Sequence, residues 1–150
     1  VVAIVMAILI MFMGFRIIRS ALRDIMDEID FSEAEQIVNI LNDIRQPTWI
    51  DIHNLRIIKF GTTLHIDCHV TIPYYFDIHE GHEEIEKLDK MMNERIDAPI
   101  EFFVHIDPCK PDSCRICSLK DCPVRKYDQE KAVEWKLHNV LDNSQHHKLL

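Results

Sequence analysis

Glycine is scarce, with three residues in 150. Without the residue that lets backbone close around a phosphate or oxyanion, no such cradle is recognisable, and an enzyme reading has little to stand on. Basic charge is short as well: 17 Lys and Arg face 25 Asp and Glu, for a net charge of -8. No face gathers enough cations to neutralise a phosphate backbone, which argues against nucleic acid as a partner. Internal repeats and low-complexity linkers are missing. So is the pattern of a cleavable signal peptide, whose positive charges precede its apolar segment. The first residue is Val1, inside an apolar run, so the expectation is a piece of something longer.

What is present points to cations and a membrane. Nine histidines lie among the acids, and five cysteines, an odd number, fit a reducing compartment better than a disulfide framework. The run "VVAIVMAILIMFMGF" carries no charge through Phe15 and continues with Ile17 and Ile18 past Arg16, slightly short of the ~20 residues that span hydrocarbon. Apolar residues on all its faces argue against an amphipathic surface helix. Arg16, Arg19 and Arg23 follow the run. By the positive-inside tendency, everything after about residue 16 is expected in the cytoplasm, with the helix in the inner (plasma) membrane. The length suits one compact domain with appendages.

Periodicity then sets the element order. "RIIRSALRDIMDEID" continues helically through Leu22, Ile25, Met26 and Ile29. "FSEAEQIVNILNDIRQP" predicts a helix with Ser32 and Glu35 as a capping box, Ile37, Val38, Leu41 and Ile44 on one face, and Pro47 as a stop. Strand character from Ile50 to Phe60, a turn at Gly61 and Thr62, and the alternation of "TLHIDCHVTI" predict a hairpin with Leu64, Ile66, Cys68 and Val70 inward. Ile85, Leu88, Met92 and Ile96 mark a second helix, and "APIEFFVHID" a third strand. The expected fold is α+β, two helices on one face of a three-stranded sheet, with the other face and an edge open to a partner. "YDQEKAVEWKLHNVL" predicts a last helix, and "DNSQHHKLL" is expected to fray.

His53, His69 and His105 fall on strands, and Asp107 shares a strand face with His105. His79 and His82 neighbour each other on the second helix. Imidazole and carboxylate together suit Zn²⁺, Fe²⁺ or Mn²⁺, although a chain with nine histidines shows such pairs by chance. The run into "GFRIIRSALRDIMDEID", then "IHNLRIIKFGTTLHIDCHVTIP", "HEGHEEIEKLD" and "VHIDPC", resembles the last transmembrane helix and cytoplasmic C-terminal domain of the cation diffusion facilitator family, proton-coupled exporters of divalent metals. The resemblance covers residues 1–109. It implies a metallochaperone-like (ferredoxin-like) αββαβ fold that dimerises. It further implies two ions near the dimer interface bridged by Asp107, His53 and His69 on one, His82 and His105 on the other; His65 and His79 match no ligand and are read as exposed. The family's transport site lies on earlier helices, so this chain would be a regulatory and dimerising part. An independent soluble metal carrier or metalloregulator is the alternative, and the apolar run is its difficulty.

After the third strand comes "CKPDSCRICSLKDC". Cys109, Cys114, Cys117 and Cys122 supply four soft ligands within one loop, stiffened by Pro108, Pro111 and Pro123 and flanked by Lys110, Arg115, Lys120, Arg125 and Lys126. Structural Zn²⁺ is the leading reading of this knuckle. An iron-sulfur cluster stands behind it, because Cys122-Pro123 echoes the Cys-Pro ending of ferredoxin runs, and a metal-free loop is the third. Cys68, inward on the second strand, reads as a small core hydrophobe. The domain expectation is residues 1–30 as membrane helix and cytoplasmic extension, 31–108 as the metal-binding dimerisation domain, 109–126 as the knuckle, and 127–150 as helix and tail.

Overall fold

A computed structural model describes residues 1–25 and 31–149; the expected helical continuation over 26–30 lies outside them. Helix α1 (Val2–Ile25) is apolar on every side through Phe15, and its stretch Val2–Ala21 is long and apolar enough to cross a membrane, with none of it buried against the rest of the chain. Then follow α2 (Phe31–Ile44), β1 (Asp51–Phe60), β2 (Thr63–Ile72), α3 (Ile78–Asn93) and β3 (Ile100–Pro108). This is the expected αββαβ order.

The sheet runs β1-β2-β3, antiparallel between β1 and β2 and parallel between β2 and β3, so the α3 crossover carries the chain over the sheet face. Ala34, Ile37, Val38, Leu41 and Ile44 of α2 and Leu88 and Met92 of α3 close on Ile52, Ile66, Cys68 and Val70 in one core. The strand alternation behaves as its period of two requires: His65, Asp67 and His69 stand on the opposite face from that core. Gly61, at φ +62°, makes the tight hairpin turn that a side chain would strain. Helix α2 is described from Phe31 onward, so the expected cap at Ser32 falls at the edge of the described residues. On α3 the box is complete: the Asp77 carboxylate accepts from the Glu80 N–H and the Glu80 carboxylate from the Asp77 N–H.

Two local features depart from the expected pattern. In β1 a bulge between His53 and Arg56, with Asn54 at φ +52°, resets the register so that both Ile52 and Leu55 are buried. The expected long C-terminal helix contracts to a single turn, α4 (Leu137–Val140), behind an extended segment. Its backbone is taken by side chains at the end of α2 and just beyond it: Asn42 accepts from the Trp135 N–H and donates to the Trp135 carbonyl, and Arg45 donates to the Val133 carbonyl. With these groups claimed and the Trp135 ring 1% exposed beneath Arg45, an extended strap outcompetes a helix. The tail does not fray either, since Gln145 and His146 are buried and the Asn54 N–H donates to the Asp142 carbonyl.

Candidate metal centre

The register places three histidines in one row. His53 pairs with His69 across β1 and β2, and His69 pairs with His105 across β2 and β3. Ring centroids are 5.1 Å apart for the first pair and 4.5 Å for the second. One row along the strands lie Asp51, Thr71 and Asp107, also in register. Because residues two apart share a face, Asp107 leans back over the histidine row.

Asp107 is the hub of the row. Its Oδ2 stands 3.3 Å from His53 Nε2 and 3.1 Å from His69 Nδ1, and its Oδ1 stands 3.4 Å from His105 Nδ1. The His69–Asp107 contact is a hydrogen bond, and because two donors held at ~2.0–2.1 Å by one tetrahedral ion sit about 3.3 Å apart, the same spacings would also fit groups sharing an ion. Donor atoms of His53, His69 and Asp107 all lie within 4.8 Å of one another. His105 reaches the other carboxylate oxygen from a more exposed position, outside the close group of His53, His69 and Asp107. Two buried polar atoms behind the row, His53 Nδ1 and Thr71 Oγ1, have no hydrogen-bond partner. His82 stands apart on the first turns of α3, exposed, with its ring beside Glu86.

His53 is 3% exposed, and burial first, ahead of the opposing pull of Asp51 and Asp107, holds its pKa below the ordinary histidine value. The ring is therefore neutral and free to donate a lone pair at neutral pH. Behind it lies a feature sequence reasoning missed. Asp51, 1% exposed, has Oδ2 3.8 Å from His53 Nδ1, and it accepts a 2.9 Å hydrogen bond from the His146 N–H while its Oδ1 meets the His146 ring. At that distance Asp51 makes no hydrogen bond to His53, but its charge favours a proton on Nδ1 and so leaves the Nε2 lone pair facing Asp107. Asp51 two residues before His53 was the available signal; nothing in the pattern tied it to a histidine 95 residues away.

The other histidines sort differently. His79 is exposed, as read from sequence, with its ring near Glu83. His65 is only partly exposed: it pairs with Glu101 at 3.0 Å and sits between the rings of Phe60 and Phe103. Cys68 is the expected core hydrophobe, fully buried with its thiol pushed up to about 12 by burial and then by Asp67.

Cys109, Cys114, Cys117 and Cys122 line one cavity of about 220 Å³ at the end of the sheet, with all four thiols free. Burial pushes the Cys109 and Cys117 thiols up, against the pull of backbone N–H groups of Tyr74 and Leu119 aimed at the two sulfurs. Of the flanking cations, Lys110, Arg125 and Lys126 line the cavity, whereas Arg115 is committed to Glu130 and the ring of Tyr127.

CzrB, described as a zinc transporter, resembles the chain in its Zn form with a TM-score of 0.51 at 16% identity, over 55% of this chain and 91% of that one. A second CzrB structure gives 0.50 at 16% identity, over 55% and 99%. These likenesses establish the fold. The metal-bound C-terminal domain of CzcD from Thermotoga maritima is 25% identical over 53% of this chain and 90% of that one, with a TM-score of 0.47. No curated protein sequence matches. Residues 17–109 match the family model of the cation efflux protein cytoplasmic domain, and on that match the chain belongs to this family of transporter, not enzyme, domains.

Proposed function

We propose that this chain is the cytoplasmic end of a proton-coupled divalent cation exporter, and that it senses zinc, ahead of iron or manganese, at the sheet face and dimerises in response. The observation that carries the reading is the convergence of His53, His69 and His105 on the two oxygens of Asp107. His53, His69 and Asp107 hold a first ion. Asp107 bridges to a second held by His105, with His82 joining it only on assembly, since in one chain its ring rests by Glu86. A bound ion supplies positive charge that neutralises Asp107 and locks three strands into one arrangement.

The face around the site suits a second copy. Phe103, on the same face of the open edge strand β3 as His105 and Asp107, is 57% exposed. Ions held between two such faces bias the membrane part only by binding one arrangement better than the other. Helix α1 serves as the end of the last membrane span, with the domain from Phe31 onward in the cytoplasm at the plasma membrane. Sedimentation of the chain from Phe31 onward tests this: zinc is expected to convert it to, or tighten, a dimer, with His69→Ala and Asp107→Ala insensitive. A monomer unchanged by zinc rejects the reading.

A further inference from the structure

The family match ends at Cys109, the first residue of the four-cysteine loop. No three of its sulfurs come within 4.8 Å of one another among the described residues. A single four-thiolate zinc ion, with Zn–S near 2.3 Å, needs sulfurs about 3.8 Å apart. The thiols instead stand apart in the wall of a cavity of about 220 Å³ that they share with Ile50, Tyr74, Leu119 and Val124. A cubane of four irons and four sulfides carries its cysteines outward at its corners and keeps them well separated.

From this we infer that Cys109, Cys114, Cys117 and Cys122 hold a [4Fe–4S] cluster, one cysteine to each iron, rather than a single zinc ion.

The surroundings of the cavity suit it. Backbone N–H groups of Tyr74 and Leu119 face the sulfurs of Cys109 and Cys117, the Lys126 N–H lies 3.5 Å from Cys114 Sγ, and the Tyr75 hydroxyl meets Cys122. All four sulfurs thus have a polar neighbour, and hydrogen bonds to sulfur are among the levers that set a cluster's potential. A cluster bearing four thiolates is a net anion, and Lys110, Arg125 and Lys126 line the cavity. Arg125 also donates to the carbonyls of Cys114, Cys117 and Leu119, so the loop is held open around the space by a side chain rather than by an ion. Ile50, Ile116, Leu119 and Val133 form an apolar cluster with Cys117 and Cys109, and Cys117 is buried in it.

The site also has a fixed place in the fold. The Cys109 N–H donates to the Ile72 carbonyl at 2.8 Å, so the first cysteine continues the β2–β3 ladder two residues beyond Asp107. A cluster here clamps the end of the strand that carries the hub of the cation site.

The test uses the full chain, in detergent, purified without oxygen. It is offered ferrous and ferric iron in equal amounts with sulfide, two of each iron and four sulfides making the 2+ core with no further oxidant, with equimolar zinc in a parallel sample, then desalted and assayed for iron, acid-labile sulfide and zinc. The expected result is about four irons and four sulfides per chain, a broad visible absorption that bleaches with dithionite, and a paramagnetic signal after one-electron reduction. Cys114→Ser and Cys117→Ser should each cut iron content at least several-fold, while Cys68→Ser and His69→Ala keep it. Iron and sulfide below one per chain in the wild type overturn the inference, whether zinc fills the loop or the thiols stay bare. So does iron lost with His69→Ala and retained in the cysteine variants. The wild-type count decides independently of how the variants fold, and retention by His69→Ala separates this site from the cation site.

Discussion

Replacing Asp51 by Asn changes no volume and no ligand, yet it should weaken the cation site. In the native chain the Asp51 carboxylate meets His146 through two atoms and faces His53 Nδ1 at 3.8 Å. An amide presents one acceptor where there were two, so either the His146 contacts or the approach to His53 is given up, and the charge that favours a proton on His53 Nδ1 is gone. Loss of a carboxylate supporting a ligating histidine typically costs about 10–100-fold in metal affinity, or roughly 1.4–2.7 kcal/mol. The same substitution removes a buried charge-assisted hydrogen bond worth about 1.5–3 kcal/mol of stability. The two effects are separated by measuring zinc affinity by competition with a chromophoric chelator, under conditions where denaturant titration shows the variant folded. Thr71→Val, which removes a buried hydroxyl with no partner, serves as the control, because deleting an unsatisfied group should be neutral or stabilising. A folded Asp51→Asn protein within twofold of native affinity would refute the idea that Asp51 positions His53.

Further expectations rest on single features. Trp135→Ala empties a site 1% exposed that joins the C-terminal strap to α2, and should lower stability by about 3–5 kcal/mol in urea unfolding; a loss under 1 kcal/mol would mean the strap is not integral. Burial lowers the pKa of His53, so the unfolded chain takes up this proton first, below about 6.5. The metal-free domain should therefore lose stability as pH falls from there toward the folded value, and His53→Gln should flatten that slope in thermal unfolding. Phe103→Asp removes an exposed aromatic from β3; if that ring is buried between copies, worth about 1.5–3 kcal/mol, the zinc-dependent dimer weakens roughly ten- to a hundredfold in sedimentation, and an unaltered dimer places the interface elsewhere.

Much of the cation site was legible because it depends on strand period alone. Once "TLHIDCHVTI" puts Cys68 inward, His69 must face out, and His105 and Asp107 share a face for the same reason. The register that lines up His53, His69 and His105 is a tertiary outcome, as is the bulge at Asn54 that lets His53 face the site while Leu55 remains in the core. Asn42, Arg45 and Asp51 show the harder limit. Each is an unremarkable polar residue in sequence, and each acts on a segment about ninety residues away. The last helix was misjudged on that account. Its apolar spacing suits a helix, but three α2-side hydrogen bonds to the backbone decide otherwise. Likewise the cysteine spacing announces four ligands without saying how wide a space they enclose.

The segment from Cys109 onward, outside the family match except for that first residue, supports the residues before it. It holds the end of β3 through the Cys109 N–H, covers α2 with Trp135, meets Asn54 in the β1 bulge through the Asp142 carbonyl, and seats His146 on Asp51. Three of these four contacts fall on the end of β3, on the bulge beside His53, or on the carboxylate behind it. Donors already held near the spacing an ion needs lose less conformational freedom on binding. An added loop and strap therefore act on cation affinity without contributing a donor to the cation site, and they do so from the same side of the fold that carries the four thiols.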